Sequence, residues 1–287
     1  MEPLIIGAGL AGLTLGRELR HLSPVILEKS RGVGGRLATR RMDPGTGGAE
    51  VRLDHGAQEL QSASPALAGF WREHEANGSI WRTGRTWEGA PVYSGAPSMT
   101  SLPKAMSQGL EIQLGKRLKN LSQTPSNRTW IAECVESSPT IRCGQVLLTC
   151  PAPQILEILD RMSLENQALL VPAARERLRR IEYSPSIVLL SAHPPRVMRL
   201  EAEPSRELMD QPDEAILAKV RGTFSEAAWA QVHRWRYSQA RVTEAAPFLQ
   251  LDVDGTLWAA GDGFGDPSLP GAERSILSAL ALARHRS

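Results

Sequence analysis

The sequence has little cysteine, little net charge and no long apolar run. Its three cysteines, Cys134, Cys143 and Cys150, have neither a zinc-ligand spacing nor a CxxC spacing, so they indicate reduced thiols and no metal site. A net charge of +2 on 287 residues gives no indication of a nucleic-acid partner. No apolar run approaches the roughly 20 residues of a membrane span, and the N-terminus does not look like a signal peptide. These absences predict a cytoplasmic protein with no membrane partner.

What is present is typical of an ordinary globular protein. Hydrophobic residues make up 41% and charged residues 22% of the chain, which excludes extended disorder, and the length allows about two domains. A buried strand at Leu4–Ile6, a helix at Leu13–Leu22 and a strand at Pro24–Glu28 form a βαβ unit. The predicted fold class is therefore α/β with a parallel sheet.

The turn of this unit carries a dinucleotide-binding pattern. Gly7-Ala8-Gly9-Leu10-Ala11-Gly12 is a GxGxxG that follows a strand and opens a helix. Gly7 permits the tight turn, Gly9 lets the backbone approach a pyrophosphate, and Gly12 lets helix and strand pack closely. Glu28 ends the next strand, where it is expected to accept hydrogen bonds from ribose hydroxyls. A Gly-rich turn that binds nothing is the alternative.

The loop that follows distinguishes FAD from NAD. Residues 28–36, with Lys29 and Gly34-Gly35-Arg36, resemble the extended fingerprint of the flavin-containing amine oxidase superfamily, which wraps FAD. Further segments resemble the renalase family, in family order along the chain. They are Gly34–Arg41, Leu53–Gln58, Pro97–Leu102, Thr149–Gln154, His233–Tyr237, and Gly261-Asp262 with Gly271-Ala272.

This resemblance implies a p-hydroxybenzoate-hydroxylase-like architecture of two domains with non-covalently bound FAD. The FAD-binding domain is expected to comprise residues 1–62, 98–155 and 246–287, and the smaller substrate domain residues 63–97 and 156–245. Beyond the GxGxxG and Glu28, the resemblance implies that a further set of residues contacts FAD. They are Lys29, Gly34, Gly35, Arg36, Gly56, Ala57, Gln58, Leu118, Pro151, Gly261, Asp262, Gly271 and Ala272.

The substrate domain departs from the family. Residues 191–211 form a short polar connection where bacterial renalases have a longer, strand-rich segment, and Glu201-Ala202-Glu203-Pro204 is poor strand material. A reduced substrate sheet is therefore expected, with the flavin more open to solvent or covered by a second subunit or partner protein. Candidate catalytic residues are His55, Gln58 and Tyr237, although His55 could equally be structural. His233, Trp235 and Tyr237 alternate and share a strand face, on which core packing is favoured for Trp235.

Three functions remain open. The resemblance implies a small-molecule electron donor, a dihydronicotinamide species, that passes hydride to flavin N5, with O2 as acceptor and H2O2 as product. An amine oxidase is the second, although an aromatic content of 5% and the loss of aromatic residues after Gln58 argue mildly against an aromatic cage. A degenerate FAD-binding protein that acts as a sensor or assembly partner is the third.

Overall fold

A six-stranded sheet is the centre of the molecule. The computed structural model describes residues 2–43, 49–124, 127–136, 139–192, 195–221 and 231–286. The sheet has the order β16-β17-β12-β1-β2-β8, and all neighbours are parallel except the edge pair β16–β17. Its strands are β1 (Pro3–Ile6), β2 (Val25–Glu28), β8 (Glu111–Leu114), β12 (Gln145–Leu148), β16 (Leu249–Gln250) and β17 (Leu257–Ala259). The α/β class predicted from the sequence is confirmed.

Helices cover both faces of this sheet. Every residue of β1 and β2 is buried, as expected for parallel strands with helices on either side. On one face Leu13 and Leu15 pack with Ile276 and Leu282, and on the other Leu4 and Leu27 pack with Ile155. The helices are α1 (Leu10–Glu18), α2 (Ala68–Ala76), α3 (Ser101–Met106), α4 (Ala152–Arg161), α5 (Leu164–Gln167), α6 (Ala174–Arg179) and α9 (Gly271–Arg286).

Smaller antiparallel sheets are attached to this core. They are a hairpin of β3 (Thr39–Met42) and β4 (Val51–Asp54), a sheet of β5 (Leu60–Gln61), β7 (Pro91–Gly95) and β6 (Ile80–Arg85), and a sheet of β11 (Ile141–Cys143), β10 (Trp130–Cys134) and β9 (Leu118–Gln123). The hairpin matters for the site, because it carries the predicted His55 segment at its end.

A separate three-stranded sheet lies against the hairpin. It has the order β14 (Pro195–Arg199), β13 (Glu182–Ala192) and β15 (Gln231–Val242), and α7 (Ala202–Leu208) and α8 (Asp213–Arg221) pack beside it. Val188 and Leu190 of this sheet pack on Met42 and Leu53 of the hairpin. The domain boundaries proposed from the sequence stay a prediction.

The expectation of a short polar connection over residues 191–211 was wrong. The segment contains the edge strand β14 and the whole of α7. Pro204 disfavours a strand but is tolerated in the first turn of a helix, where its missing N–H has no partner to lose. Ser205 is fully buried, and its hydroxyl accepts a hydrogen bond from the Ile187 amide at 2.9 Å, which docks α7 on β13.

Candidate functional site

The glycine turn after β1 has the geometry that the sequence predicts. Gly7 has φ +107°, which favours glycine, and its amide donates to Leu27 O at 2.8 Å. A Cβ on Gly12 would lie 1.9 Å from Gly7 O, so helix and turn pack too closely for any side chain. A Cβ on Gly9 would meet no atom within 4 Å. Gly9 therefore faces open space, where a pyrophosphate can approach the backbone.

The N-terminus of α1 presents amide groups to the same space. The first intrahelical bond of this helix runs from Leu13 N to Gly9 O at 2.9 Å, so the amides of Leu10, Ala11 and Gly12 have no carbonyl partner within the helix. The first turn contains no acidic residue. This arrangement suits an anion, because the free N–H groups and the helix dipole both favour negative charge.

Glu28 lies at the end of β2 with its carboxylate buried. Oε2 accepts the Ala8 amide at 2.8 Å and Oε1 accepts the Ser30 amide at 2.7 Å. Each carboxylate oxygen retains a second lone pair that can accept a ribose hydroxyl. The two amide bonds fix the carboxylate beside the glycine turn, whereas the neighbouring Lys29 is exposed.

A second glycine loop packs against the first. The Gly34 amide donates to Ala8 O at 2.8 Å, and a Cβ on Gly35 would lie 3.4 Å from the Gly9 Cα. Gly34 has φ +115° and Gly35 has φ +54°, so the loop depends on residues without a side chain. The two glycine-rich segments that are separate in the sequence thus form one surface.

Arg36 and Asp262 join this surface to the C-terminal part of the chain. Nη1 of Arg36 is 2.7 Å from Oδ2 of Asp262 and Nη2 is 2.6 Å from Oδ1, a bidentate ion pair. Burial works against the charged guanidinium, but the charge and hydrogen bonds of Asp262 outweigh it and raise the pKa of Arg36. Asp262 also lies beside the start of α9, where a Cβ on Gly271 would be 3.9 Å from Oδ2.

The His55–Gln58 segment is held against the Arg36 loop. The Ala57 amide donates to Arg36 O at 2.8 Å, and a Cβ on Gly56 would lie 1.8 Å from the same oxygen. Gln58 is exposed, and its side chain donates to Asp54 O at 3.3 Å. The segment therefore continues the glycine surface toward the β13–β15 sheet, as a cofactor extended along this surface requires.

The remaining predicted cofactor residues lie at the carboxyl ends of β12 and β17 or in the core. Thr149 Oγ1 donates to Ile6 O at 2.9 Å, which places the following Cys150 and Pro151 beside the glycine turn. Gly261 has φ +147°, and its amide donates to Ser278 Oγ at 2.9 Å. Ala272 follows Gly271 in the first turn of α9. Leu118, by contrast, buries its side chain in the core beneath β2.

Two histidines lie beside an indole at the sheet side of the site. The rings of His55 and His233 are 4.5 Å apart, and His55 stacks on Trp235 at 5.6 Å. Trp235 Nε1 donates to His55 O at 2.8 Å, and its ring packs with the hairpin core, as predicted for that residue. Tyr237 lies where the register of β15 on β13 is irregular, and its ring centre is 5.8 Å from that of Tyr183.

Both imidazoles are held neutral. Burial, then the neighbouring His233 and the charge of Arg40, lower the pKa of His55 to about 4. Burial and the charges of Arg40 and Arg234 lower the pKa of His233 to about 4 as well. His55 Nδ1 is buried and has no hydrogen-bond partner among the described residues.

Sequence reasoning missed two buried charges at the start of α9. Arg274 Nε donates to Asp262 O at 2.8 Å and its Nη2 donates to Ala240 O at 3.1 Å, so it ties the Asp262 loop to β15. Glu273 accepts the amides of Ala63 and Ser64 at 3.0 and 2.8 Å and Trp71 Nε1 at 3.1 Å. In the sequence these look like ordinary exposed residues of a first helical turn, and no local signal shows that they are buried.

No group of His, Cys, Asp and Glu side chains within the described ranges could hold a metal ion. In the part of the chain that the structure describes, no helix is long and apolar enough to span a bilayer.

Comparisons with known proteins agree with this geometry. Residues 5–74 match an NAD(P)-binding Rossmann-like domain, and residues 51–231 match the flavin containing amine oxidoreductase family. A search of curated proteins finds no match. Among solved structures, the chain is similar to a protein from Exiguobacterium sp. 255-15 described as a candidate protoporphyrinogen oxidase, with a TM-score of 0.68, 12% identity and 99% coverage of each chain. At that identity the likeness shows the fold alone.

Because the second match spans more than half of the chain, the protein belongs to the flavin containing amine oxidoreductase family and is an FAD-dependent oxidoreductase.

Proposed function

We propose that this enzyme is of renalase type and oxidises a dihydronicotinamide-type donor, with O2 as the acceptor and H2O2 as the product. The observation that supports this most directly is the cationic character beside the His55–Gln58 segment: Arg199 Nη2 donates to Gly56 O, and the charges of Arg40 and Arg199 lower the pKa of His55. A protonated amine would be repelled there, whereas a donor with anionic groups is attracted.

The residues of this chain fit FAD. Open space over Gly9 and the free amides of α1 suit the pyrophosphate, and the buried carboxylate of Glu28 suits the ribose. Asp262 and the N-terminus of α9 lie at the far end of the same surface, where a helix N-terminus would stabilise negative charge on a reduced flavin. The non-covalent mode is part of the proposal.

When bound, FAD would supply a hydride acceptor at N5 and a route for the electrons to O2. The chain then has to bind and orient the donor, since a reduced nicotinamide is already a hydride donor and needs no base to activate it. Trp235 and His233 of β15 lie next to each other, with ring centroids 4.4 Å apart and planes tilted by 60°, and Trp235 Nε1 donates to His55 O. The neutral imidazoles are consistent with a positioning role.

The positive charge of Arg40 and Arg199 is also compatible with a porphyrinogen, the substrate class suggested by the name of the Exiguobacterium protein. Its carboxylates would suit the same arginines. We rank it second, because the segments that resemble renalases run along the whole chain.

Aerobic turnover tests the proposal. Purified protein is mixed with a panel of dihydronicotinamide isomers, amines and a porphyrinogen, while O2 consumption and H2O2 formation are followed. The proposal predicts equal consumption of donor and O2 with equal formation of H2O2 for a dihydronicotinamide. Turnover with amines alone, or with the porphyrinogen alone, would overturn it.

A further inference from the structure

We propose that Arg40, Arg199 and His233, grouped around the imidazole of His55, form a binding subsite for an oxyanion, a phosphate or a carboxylate. This inference rests on the proposed function in one respect only, namely that the oxyanion is taken to be part of the electron donor. The subsite lies where the β3–β4 hairpin meets the β14-β13-β15 sheet.

Four segments of the chain bring these side chains together. Arg40 comes from β3, His55 follows β4, Arg199 ends β14 and His233 lies on β15. In the sheet, Arg199 and His233 both pair with Val188, from opposite sides, so they belong to one row across the sheet. Val188 packs on Met42 and Leu53 of the β3–β4 hairpin, so the row that contains Arg199 and His233 faces that hairpin.

Among the described residues, no acidic side chain is found in an ion pair with Arg40 or Arg199, and none shifts the pKa of His55 or His233. Among the described residues, the charged side chains that shift His55 and His233 are all arginines or histidine. The nearest carboxylate in sequence, Asp54, instead accepts the Thr39 hydroxyl at 2.5 Å and the Met99 amide at 3.1 Å. Arginines so close together repel one another unless an anion compensates them.

The guanidinium groups also have unused donors. Arg199 donates through Nη1 to Ser186 Oγ at 3.1 Å and through Nη2 to Gly56 O, and no further partner of its N–H groups is found within the described ranges. Within the described residues, no hydrogen bond or ion pair of the Arg40 side chain is found, and its Nε is buried without a partner. A buried donor without a partner is costly, and an arginine fork matches the geometry of an oxyanion.

Arg199 is exposed and Arg40 is half-buried, while His55 is 5% exposed. An oxyanion would therefore contact Arg40, Arg199 and His233 from the open side, with the imidazole of His55 beneath them. Binding of a negative charge there would favour protonation of both histidines. The charged groups that face the two rings are Arg40, Arg199 and Arg234, and the last of these is already paired with Asp213.

Calorimetric titration of the FAD-saturated protein tests the subsite without any donor. The probes are inorganic phosphate and propionate, at constant ionic strength, because phosphate represents a nucleotide donor and propionate a carboxylate donor. The variants are Arg40→Met, whose side chain has no hydrogen bond to any described residue, and Arg199→Met. Arg196→Met is the control. Arg196 is exposed on the same strand, but it is three residues from Arg199 and therefore lies on the opposite face of the sheet.

We expect one of the probes to bind with one site per chain and to bind at least about tenfold more weakly to Arg40→Met and Arg199→Met, but unchanged to Arg196→Met. Preference for phosphate or for propionate identifies the source of the oxyanion, and either supports the subsite. Failure of both probes to bind, or equal weakening in all three variants, overturns it. The result does not depend on whether a dihydronicotinamide reduces the flavin. A failure of the subsite can therefore be distinguished from a failure of the proposed function.

Discussion

The guanidinium of Arg36 and the carboxylate of Asp262 form a two-point ion pair across 226 residues of sequence, with contacts of 2.7 and 2.6 Å. Arg36 also lies 3.3 Å from the carbonyl oxygens of Tyr237 and Ser238 on β15. The Arg36 side chain therefore links the second glycine loop, the edge strand β15 and the loop before α9. These are the three parts that have to stay in register if one cofactor is to lie along them.

A double-mutant cycle measures this link. Arg36→Met and Asp262→Asn are each expected to lower the free energy of unfolding by about 1–3 kcal/mol, since each leaves a partly buried group without its partner. The double variant should lose less than the sum. Urea denaturation supplies the free energies, and the flavin-to-protein absorbance ratio reports cofactor retention, which should fall in all three variants.

The control for that cycle is the pair Arg17–Glu73, which has a similar 2.6 Å contact but side chains that are 33% and 51% exposed. Arg17→Met should cost less than about 1 kcal/mol. Simple additivity at Arg36 and Asp262 would show that the two residues do not act together.

Two alanine substitutions in the glycine turn separate folding from cofactor binding. Gly9→Ala places a methyl group in open space, so the protein should fold with near-normal stability but retain much less FAD, because the methyl group occupies the approach to the phosphates. Gly12→Ala places a methyl group 1.9 Å from Gly7 O and should lower stability by at least about 2 kcal/mol. Circular dichroism melting and flavin content measure the two effects. A Gly9→Ala protein with full flavin content would contradict the placement of the pyrophosphate.

The two neutral histidines make stability depend on pH. Their folded pKa values, about 4, are lower than the ordinary 6.5, so the unfolded chain binds more protons between these values. Stability is therefore fully present above about pH 6.5 and is lost as pH falls toward 4, by at most about 3 kcal/mol for the more buried His55. His233→Asn should flatten this loss in melting curves collected across that range. His21→Asn, at an exposed position, is the control and should leave the profile unchanged.

Glu273 anchors α9 to the segment before α2, and its loss should be costly. Glu273→Gln removes the charge and points an amide N–H at donors that need an acceptor, so we expect a loss of about 2–3 kcal/mol. Glu75→Gln, on the exposed side of α2, should change the free energy of unfolding by less than about 0.5 kcal/mol. Equal effects of the two substitutions would show that the three hydrogen bonds to Glu273 contribute nothing.

Non-covalent attachment of FAD predicts release on denaturation. The cysteine thiols are poor nucleophiles, because burial raises the pKa of Cys143 and of Cys150 to about 12 and also raises that of Cys134. After acid or heat precipitation, the flavin should remain in the supernatant. Yellow colour that stays with the washed precipitate would contradict this.

The sequence predicted the parts of the fold that depend on local pattern. The GxGxxG turn, the buried strands around it and the acid at the end of β2 have a fixed spacing, and the structure shows each of them in the expected place. The segment 191–211 was misjudged, because an edge strand with arginines and a helix with Pro204 in its first turn give weak local signals. The cluster of Arg40, His55, Arg199 and His233 depends on contacts between four distant segments, which no short motif encodes.

The donor is the centre of this account, and anaerobic reduction of the protein-bound flavin tests it most directly. The as-purified enzyme is titrated without O2 against dihydronicotinamide isomers, primary and secondary amines and a porphyrinogen, while the visible flavin absorbance is followed. We predict that a dihydronicotinamide bleaches the flavin stoichiometrically and that amines leave it oxidised. Bleaching by an amine or a porphyrinogen, with no dihydronicotinamide effective, would contradict the account.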